Sequence, residues 1–457
     1  MRLARTLLVL LLISNAAAAE EIVNKLTFPR VAYGHRTLPN GLEVYTIQDR
    51  STPTVAIHTW YRVGSKDDPQ GRSGFAHLFE HIMFKSTKNM PAEMMDRLTE
   101  DVGGWNNAST YDDFTAYYEV VPSNYLETLL WAEADRMGGL KVDEGNFTSE
   151  RDVVKEEFRF RILAPPYGRL FYAIEKSSFR KHPYRRPGIG SIEELDAATI
   201  EDVRGFHRTF YRPDNAVLII AGDFDLDQAN GWIDRYFAPI PKPEGAIPRV
   251  DVAEPARVEE KRVDEYAPNV ALPAVAMTWL APPARHEDAP ALNIAAAILG
   301  EGESSRLEER LVRGEIAQTV MVGGDLRHDL GLFTALAIMA SGHQPAEAEK
   351  ILREEMKRLG EKPIAAAELD KAKNLILTGA LRQRETSNGK AFALGESLML
   401  HASPEVVNTG LGRLQAVTAA DVQRVIRKYV IDAKPVVITY RDESQRPGAK
   451  ATEGGNQ

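Results

Sequence analysis

The sequence predicts an α+β protein built from two homologous, duplicated domains, each a largely antiparallel sheet with helices packed on one face. Three observations carry this. The chain has 457 residues, 44% hydrophobic and 26% charged, a globular composition too long for a single core. A stretch rich in proline and charge runs from Pro239 through Pro241, Pro243, Pro248 and Pro255 to Arg262, and can be neither helix interior nor central strand. Two pairs of segments also recur at one separation of 219 residues: Val55-Ala-Ile-His-Thr-Trp60 with Ala274-Val-Ala-Met-Thr-Trp279, and Thr199-Ile-Glu-Asp202 with Thr418-Ala-Ala-Asp421.

The chain opens with Arg2 and Arg5, the apolar run 7–13, the small residues 16–19, then Glu20 and Glu21. This is the layout of a secretory signal peptide cleaved near Ala19, and the run is too short for a permanent membrane anchor. Without a twin-arginine pair, general export to the periplasm or the exterior is expected. Residues 20–240 then form the first domain, 241–268 the linker, 269–442 the second domain and 443–457 a polar, disordered tail. Within the domains, Val55, Ile57, Thr59, Tyr61 and Val63 alternate as in a half-buried strand. Residues 115–121, 216–221 and 435–440 are β-rich, whereas 123–137 has helical spacing. Thr199 with Asp202, and Thr418 with Asp421, read as capping boxes that open helices. Strands and helices do not alternate strictly, which favours antiparallel strands over a doubly wound sheet.

Composition excludes much chemistry. There is no cysteine, so disulfide scaffolds, thiolate metal sites and thiol nucleophiles are ruled out. The formal net charge is −9; loss of Arg2 and Arg5 with the signal leaves 54 basic against 65 acidic side chains, or −11. An acidic chain without a basic block argues against nucleic acid as a partner, and no segment after the signal is apolar enough to span a membrane.

The strongest chemical signal is His77-Leu-Phe-Glu-His81. Phe75, Leu78, Phe79, Ile82 and Met83 form one face of an amphipathic helix, and His77, Glu80 and His81 fall together on the other. Two imidazoles one turn apart can converge on one cation, with Glu80 beside them within reach of a bound water. This is the H-x-x-E-H order, the inverse of H-E-x-x-H. A catalytic zinc takes three protein ligands, and without cysteine the third must be His, Asp or Glu. A helix starting at Ser149 and ended by Pro165 and Pro166 offers Glu157 on the face of Val153 and Val154, with Glu150 seven residues earlier as an auxiliary acid. Spacing alone does not single out this helix. The other histidines, His35, His58, His182, His207, His286, His328, His343 and His401, lack a partner at metal-ligand spacing and read as structural or surface.

With Glu157 following His81 by 76 residues in Glu150-Arg-Asp-Val-Val-Lys-Glu-Glu157, the first half resembles the pitrilysin/insulinase family of zinc metallopeptidases, to which mitochondrial processing peptidase belongs. The segments Asn107-Ala-Ser-Thr-Tyr-Asp-Asp-Phe-Thr-Ala-Tyr117, Ala134-Asp-Arg-Met137, His182-Pro-Tyr184 and Tyr211-Arg-Pro-Asp-Asn-Ala216 are similar to that family too. The resemblance implies a LuxS/processing-peptidase-like fold. It implies one Zn2+ per chain held by His77, His81 and Glu157, with Glu80 as general base. It also implies an extended peptide substrate paired along the strand at Asn107 and Ala108. In the family, an Arg and a Tyr seven residues apart in the second half touch the substrate carbonyl. Here the corresponding stretch, 304–320, is one residue shorter and has Gln318 where the Tyr stands; Arg310 and Arg313 are the arginines nearby. The expectation is a zinc endopeptidase for extended or unfolded peptides, working as a homo- or heterodimer with a related chain that supplies the Arg/Tyr pair. The alternatives are a non-catalytic peptide-binding or assembly subunit, and a zinc hydrolase of other amides.

Overall fold

Residues 27–448 are described by the computed structural model. The expected signal segment 1–19 and residues 449–457 of the expected tail lie outside this range. The first half contains β1 (Gly34–Thr37), β2 (Glu43–Gln48), β3 (Thr54–Tyr61), α1 (Phe75–Ile82), α2 (Met94–Glu100), β4 (Trp105–Thr110) and β5 (Thr115–Pro122). It continues with α3 (Leu126–Gly139), α4 (Glu144–Phe158), α5 (Gly168–Ser178), α6 (Ile192–Asp196), α7 (Ile200–Phe210), β6 (Ala216–Gly222) and α8 (Leu226–Tyr236). The second half contains β7 (Lys261–Ala267), β8 (Ala274–Ala281), α9 (Ala289–Gly300), β9 (Ala317–Leu326), β10 (Gly331–Met339) and α10 (Pro345–Glu361). After these come α11 (Ala366–Gln383), α12 (Ser387–His401), α13 (Val406–Gln415), α14 (Ala419–Ile426) and β11 (Val436–Asp442).

The duplication is written in the sheets. The first has the order β1-β2-β6-β3-β5-β4 and the second β7-β11-β8-β10-β9. Leaving out β1, the two orders correspond strand for strand, and each sheet has one parallel pair at the same place, β2 with β6 and β7 with β11. Every other pair is antiparallel. Thr199 and Thr418 cap α7 and α14 with reciprocal capping boxes, each helix leading into the equivalent strands β6 and β11.

The tryptophan match does not survive in three dimensions. Trp60 pairs with Val217, and Thr278, not Trp279, pairs with Val436 at the equivalent place. Trp60 therefore faces away from its own domain's helices, whereas Trp279 packs among its own. A shift of one residue along a strand turns a side chain to the opposite face, so the shared tryptophan is a coincidence of sequence. The linker also ends earlier than expected. Residues 261–267, placed within the 241–268 linker, form β7, an edge strand whose solvent-facing side accepts charged residues. Beyond β11, Glu443–Gln445 form a short 3-10 turn capped by Asp442.

Each domain's own helices cover one face of its sheet. In the first half Val55, Ile57, Leu218 and Ile220 pack against Leu78, Phe79, Leu129, Val203 and Ile233. The opposite faces are covered by exchange between the halves. α12 of the second half lays Ala391, Leu394 and Leu398 on Tyr45, Trp60, Val217 and Ile219. α5 of the first half lays Leu170 and Ile174 on Ala274, Ala276, Leu336 and Ile438 of the second sheet. Gly395 makes the approach of α12 possible, because a Cβ there would sit 2.5 Å from the Trp60 ring. The polar seam between the halves is ionic: Lys66 bridges Asp113 and Asp329, and Arg327 reaches Asp112 at 3.0 Å. The halves are thus a single packed unit, and the first sheet ends in β4, whose outer edge is left unpaired by any described strand.

Candidate metal centre

α1 follows Gly74, whose φ of 92° lies in the left-handed region that favours glycine. A side chain there would meet the Ile189 carbonyl oxygen at 2.9 Å. Asp68 receives the backbone N–H groups of Gly74 and Ala76, satisfying donors at the first turn. The apolar face, Phe75, Leu78, Phe79 and Ile82, is fully buried under the sheet, which turns His77, Glu80 and His81 outward towards α4.

α4 begins at Glu144, not Ser149. Its N-cap is Asp143, whose carboxylate accepts the Asn146 N–H, and the Asp143 signal lies six residues before the Ser149 pattern. The buried stripe of α4 is Phe147, Glu150, Val154 and Phe158. Val153 is 46% exposed, so it is not on the inner face assigned to it by spacing. The stripe follows i, i+3, i+7, i+11 from Phe147, and Val153 falls outside it.

His77, His81 and Glu157 nevertheless converge, with one ligand atom from each inside 4.8 Å of the others. Glu157 Oε2 stands 3.5 Å from His77 Nε2 and 3.2 Å from His81 Nε2. Donors ~2.0–2.1 Å from a tetrahedral zinc lie about 3.3–3.4 Å from one another, and the two distances from Glu157 Oε2 to the imidazoles are close to that spacing. Two imidazoles and one carboxylate are also a ligand chemistry that zinc accepts. The imidazole rings lie at 90° to each other, with centroids 4.9 Å apart.

Around these donors stands a partly built outer layer. Glu150 Oε2 faces His81 Nδ1 at 3.6 Å, and Glu150 Oε1 is held by Lys85 at 3.0 Å and by the Ser149 hydroxyl at 3.0 Å. Arg161 Nε lies 2.8 Å from Glu157 Oε1. Thr110, at the end of β4, donates its hydroxyl to Glu80 Oε2 at 2.6 Å. His77 Nδ1 is buried with no hydrogen-bond partner among the described residues. Burial, the neighbouring His81 and Arg161 push the His77 imidazole down to about 4 against the pull of Glu157. Burial also disfavours charge on His81, but Glu150 and Glu157 outweigh it and lift that ring to about 9. The Glu80 carboxyl is raised, chiefly by burial, against the Thr110 hydrogen bond. Three acids thus gather around the two histidines; Lys85 and Arg161 each hold the outer oxygen of one of them, which leaves Glu150 Oε2 and Glu157 Oε2 turned to the imidazoles.

The donors open into a cavity of about 690 Å3, lined by Glu80, His81, Phe84, Asn107, Glu157 and Arg161 among others. Asn107 is exposed there, whereas Ala108 is buried, so Ala108 can meet a ligand only through its backbone. The Ala108 N–H donates to Asn107 Oδ1 at 2.8 Å. Thr110, Lys85 and Arg161 were missed as site residues by sequence reasoning. Thr110 lies within the Asn107–Tyr117 segment, while Arg161, four residues after Glu157, is carried by a π-helical turn that spacing does not predict.

Among the described residues the second half carries no counterpart. α9, which follows β8 as α1 follows β3, has no titratable residue in Ala289–Gly300. Gln318 is exposed on the edge strand β9, and Arg310 is spent on Glu354 and Glu355. Asp113, His328 and Asp329 also cluster across the seam between the halves, 215 residues apart in sequence for the first two. The Lys66 ammonium already fills the cation's place there, 2.8 and 2.9 Å from the two aspartates.

A duplicated α+β chain with an inverted two-histidine helix in its first half only, and a distal glutamate folded back onto it, is the arrangement expected of the inverted-motif family. Family models agree half by half: residues 43–190 match insulinase (peptidase family M16), and residues 197–376 match the peptidase M16 inactive domain. The chain belongs to the insulinase family. It is 32% identical to the zinc protease PqqE of Helicobacter pylori over 74% of this chain and 77% of that protein. It is 25% identical to a probable mitochondrial-processing peptidase subunit beta of Arabidopsis thaliana over 87% and 76%. The crystal structure of a protease from Helicobacter pylori superposes with a TM-score of 0.86 at 28% identity, covering 90% of this chain and 99% of that one.

Proposed function

We propose that this chain is a zinc-dependent endopeptidase that hydrolyses extended or unfolded peptides after export to the periplasm or the exterior. The observation that carries the reading is the placement of the Glu80 carboxyl beside the three converging donors and next to the open edge of β4. One zinc per chain would be held by His77 Nε2, His81 Nε2 and Glu157 Oε2, and would supply Lewis acidity at the attacking water and the scissile carbonyl. Glu80 takes a proton from the water and returns it to the leaving amine. Thr110 occupies Glu80 Oε2, which leaves Oε1 for that proton. Glu150 holds His81 in orientation, with Lys85 and Ser149 holding Glu150. The substrate backbone adds to β4 around Asn107 and Ala108, its main-chain groups satisfied as an extra strand. For that, the Asn107 carboxamide releases the Ala108 N–H.

The working unit is a dimer with a related chain that carries the Arg/Tyr pair. The support is local: Gln318 replaces the tyrosine and Arg310 is tied to two glutamates. A relative is named as a subunit of a processing peptidase, which accords with such an assembly. Export rests on the signal layout of residues 1–19; no helix among the described residues is long and apolar enough to cross a membrane.

The test is cleavage of an unstructured peptide library by the purified chain, with and without a co-encoded homologue, before and after chelation. Cleavage that disappears with a chelator, returns with zinc and rises with the homologue is expected. Zinc-independent cleavage would defeat the zinc reading, and full activity alone would defeat the partner reading.

A further inference from the structure

We propose that Arg161 is a positioning residue that keeps Glu157 a one-oxygen ligand; this rests on the zinc reading above. The two oxygens of Glu157 have different neighbours. Oε2 faces both imidazoles, at 3.2 and 3.5 Å, while Oε1 is turned away to Arg161 Nε at 2.8 Å. A free carboxylate can present both oxygens to a metal and so add a fifth donor that crowds the bound water. An ion pair on one oxygen prevents the swing, because binding through both would break it.

The backbone places Arg161 for this. α4 does not stop at Phe158 but runs on as one π-helical turn, Arg159–Leu163, which carries Arg161 one turn beyond Glu157 on the same side. The Arg161 side chain is 70% exposed while that of Glu157 is 15% exposed. A pair so open to water contributes little to folding stability, so its loss leaves the fold intact. Arg161 also carries a positive charge at the wall of a cation site. By charge alone it weakens metal binding, so a purely electrostatic role predicts that its removal tightens binding and leaves the coordination geometry unchanged.

The positioning role predicts a change of geometry. Without Arg161, Glu157 binds through both oxygens and the metal goes from four ligands to five. Cobalt(II) reports this directly, since its visible absorption is intense in tetrahedral sites and weakens as the coordination number rises. The experiment loads the full chain with cobalt(II), as wild type and as Arg161→Leu, Arg161→Gln and Arg161→Lys, with melting curves to check the fold. Expected are an intense wild-type spectrum, weakened several-fold in Arg161→Leu and Arg161→Gln, and peptide turnover reduced ~10-fold or more in the zinc forms. Arg161→Lys recovers both, because an ammonium can hold one oxygen in the same way. An unchanged spectrum in Arg161→Leu, or tighter metal binding at unchanged geometry, overturns the proposal while leaving the zinc reading standing. A wild-type chain that binds no cobalt or zinc overturns both.

Discussion

Thr110 Oγ1 donates a 2.6 Å hydrogen bond to Glu80 Oε2, joining the last residue of the open edge strand to the carboxyl beside the metal donors. One oxygen of Glu80 is fixed by the strand along which a peptide would lie. On the proposed function, substrate pairing and orientation of the base are linked through one hydroxyl. Thr110→Val keeps the shape of the side chain and removes the donor. We expect kcat to fall about tenfold with KM little changed, a fraction of the 10²–10⁴-fold that a general base contributes. Thr110→Ser should restore most of the rate. Steady-state kinetics on a quenched peptide decide it, and an unchanged kcat in Thr110→Val would remove Thr110 from the account.

The exchange of helices between the halves makes a separate prediction. Gly395 lets α12 lie against Trp60, with no room for a Cβ. Gly395→Ala should destabilise the folded chain by about 1–3 kcal/mol, the usual cost of overpacking a filled core. Trp60→Phe in the same chain should recover part of the loss by opening space. Urea unfolding of the two single variants and the double variant measures this, and additive losses would show that the contact is not the cause.

Acid should loosen the same exchange. Asp49, at the end of the first sheet, is paired with Lys390 on α12, and this partner holds its carboxyl down at about 2 against the effect of burial. A carboxyl whose folded pKa lies below its unfolded value of about 3.9 contributes stability above that value and loses it as pH falls through the folded one. Lys390→Met should therefore melt below wild type at neutral pH, and the gap should close between about pH 4 and pH 2. A gap that stays constant over that window would exclude this carboxylate as its source.

Much of this architecture could be read in the chain. The helix that carries His77, Glu80 and His81 was legible because its apolar and polar faces separate at helical spacing, and the two capping boxes marked equivalent helices in the two halves. The α+β fold with mostly antiparallel strands followed from the order of patterns. What sequence could not supply is which sheet a helix covers. α5 and α12 each cover the other half's sheet, and a buried helix face says only that something covers it. The Trp60 and Trp279 match misled for a related reason: identity of residues does not fix register, and one step in a strand reverses the face. Around the donors, the helix of Glu157 was recognisable but its phase was not. It starts at the Asp143 cap, and Val153 lines the cavity beside Glu157 instead of packing in the core. The contacts of Thr110 and Arg161 depend on where a strand end and a π-helical turn finish, details that lie below the resolution of a periodicity.

The central claim is that Glu80 moves the proton for peptide hydrolysis at a zinc held by His77, His81 and Glu157. Glu80→Gln tests it most directly, because the amide keeps the shape of the side chain and an acceptor for Thr110 while losing the base. Zinc content and peptide turnover are measured together on the purified variant, with the homologous partner present. The account predicts one zinc per chain, as in the wild type, with turnover reduced by ~10²–10⁴-fold or more. Turnover at the wild-type rate with zinc in place would contradict it.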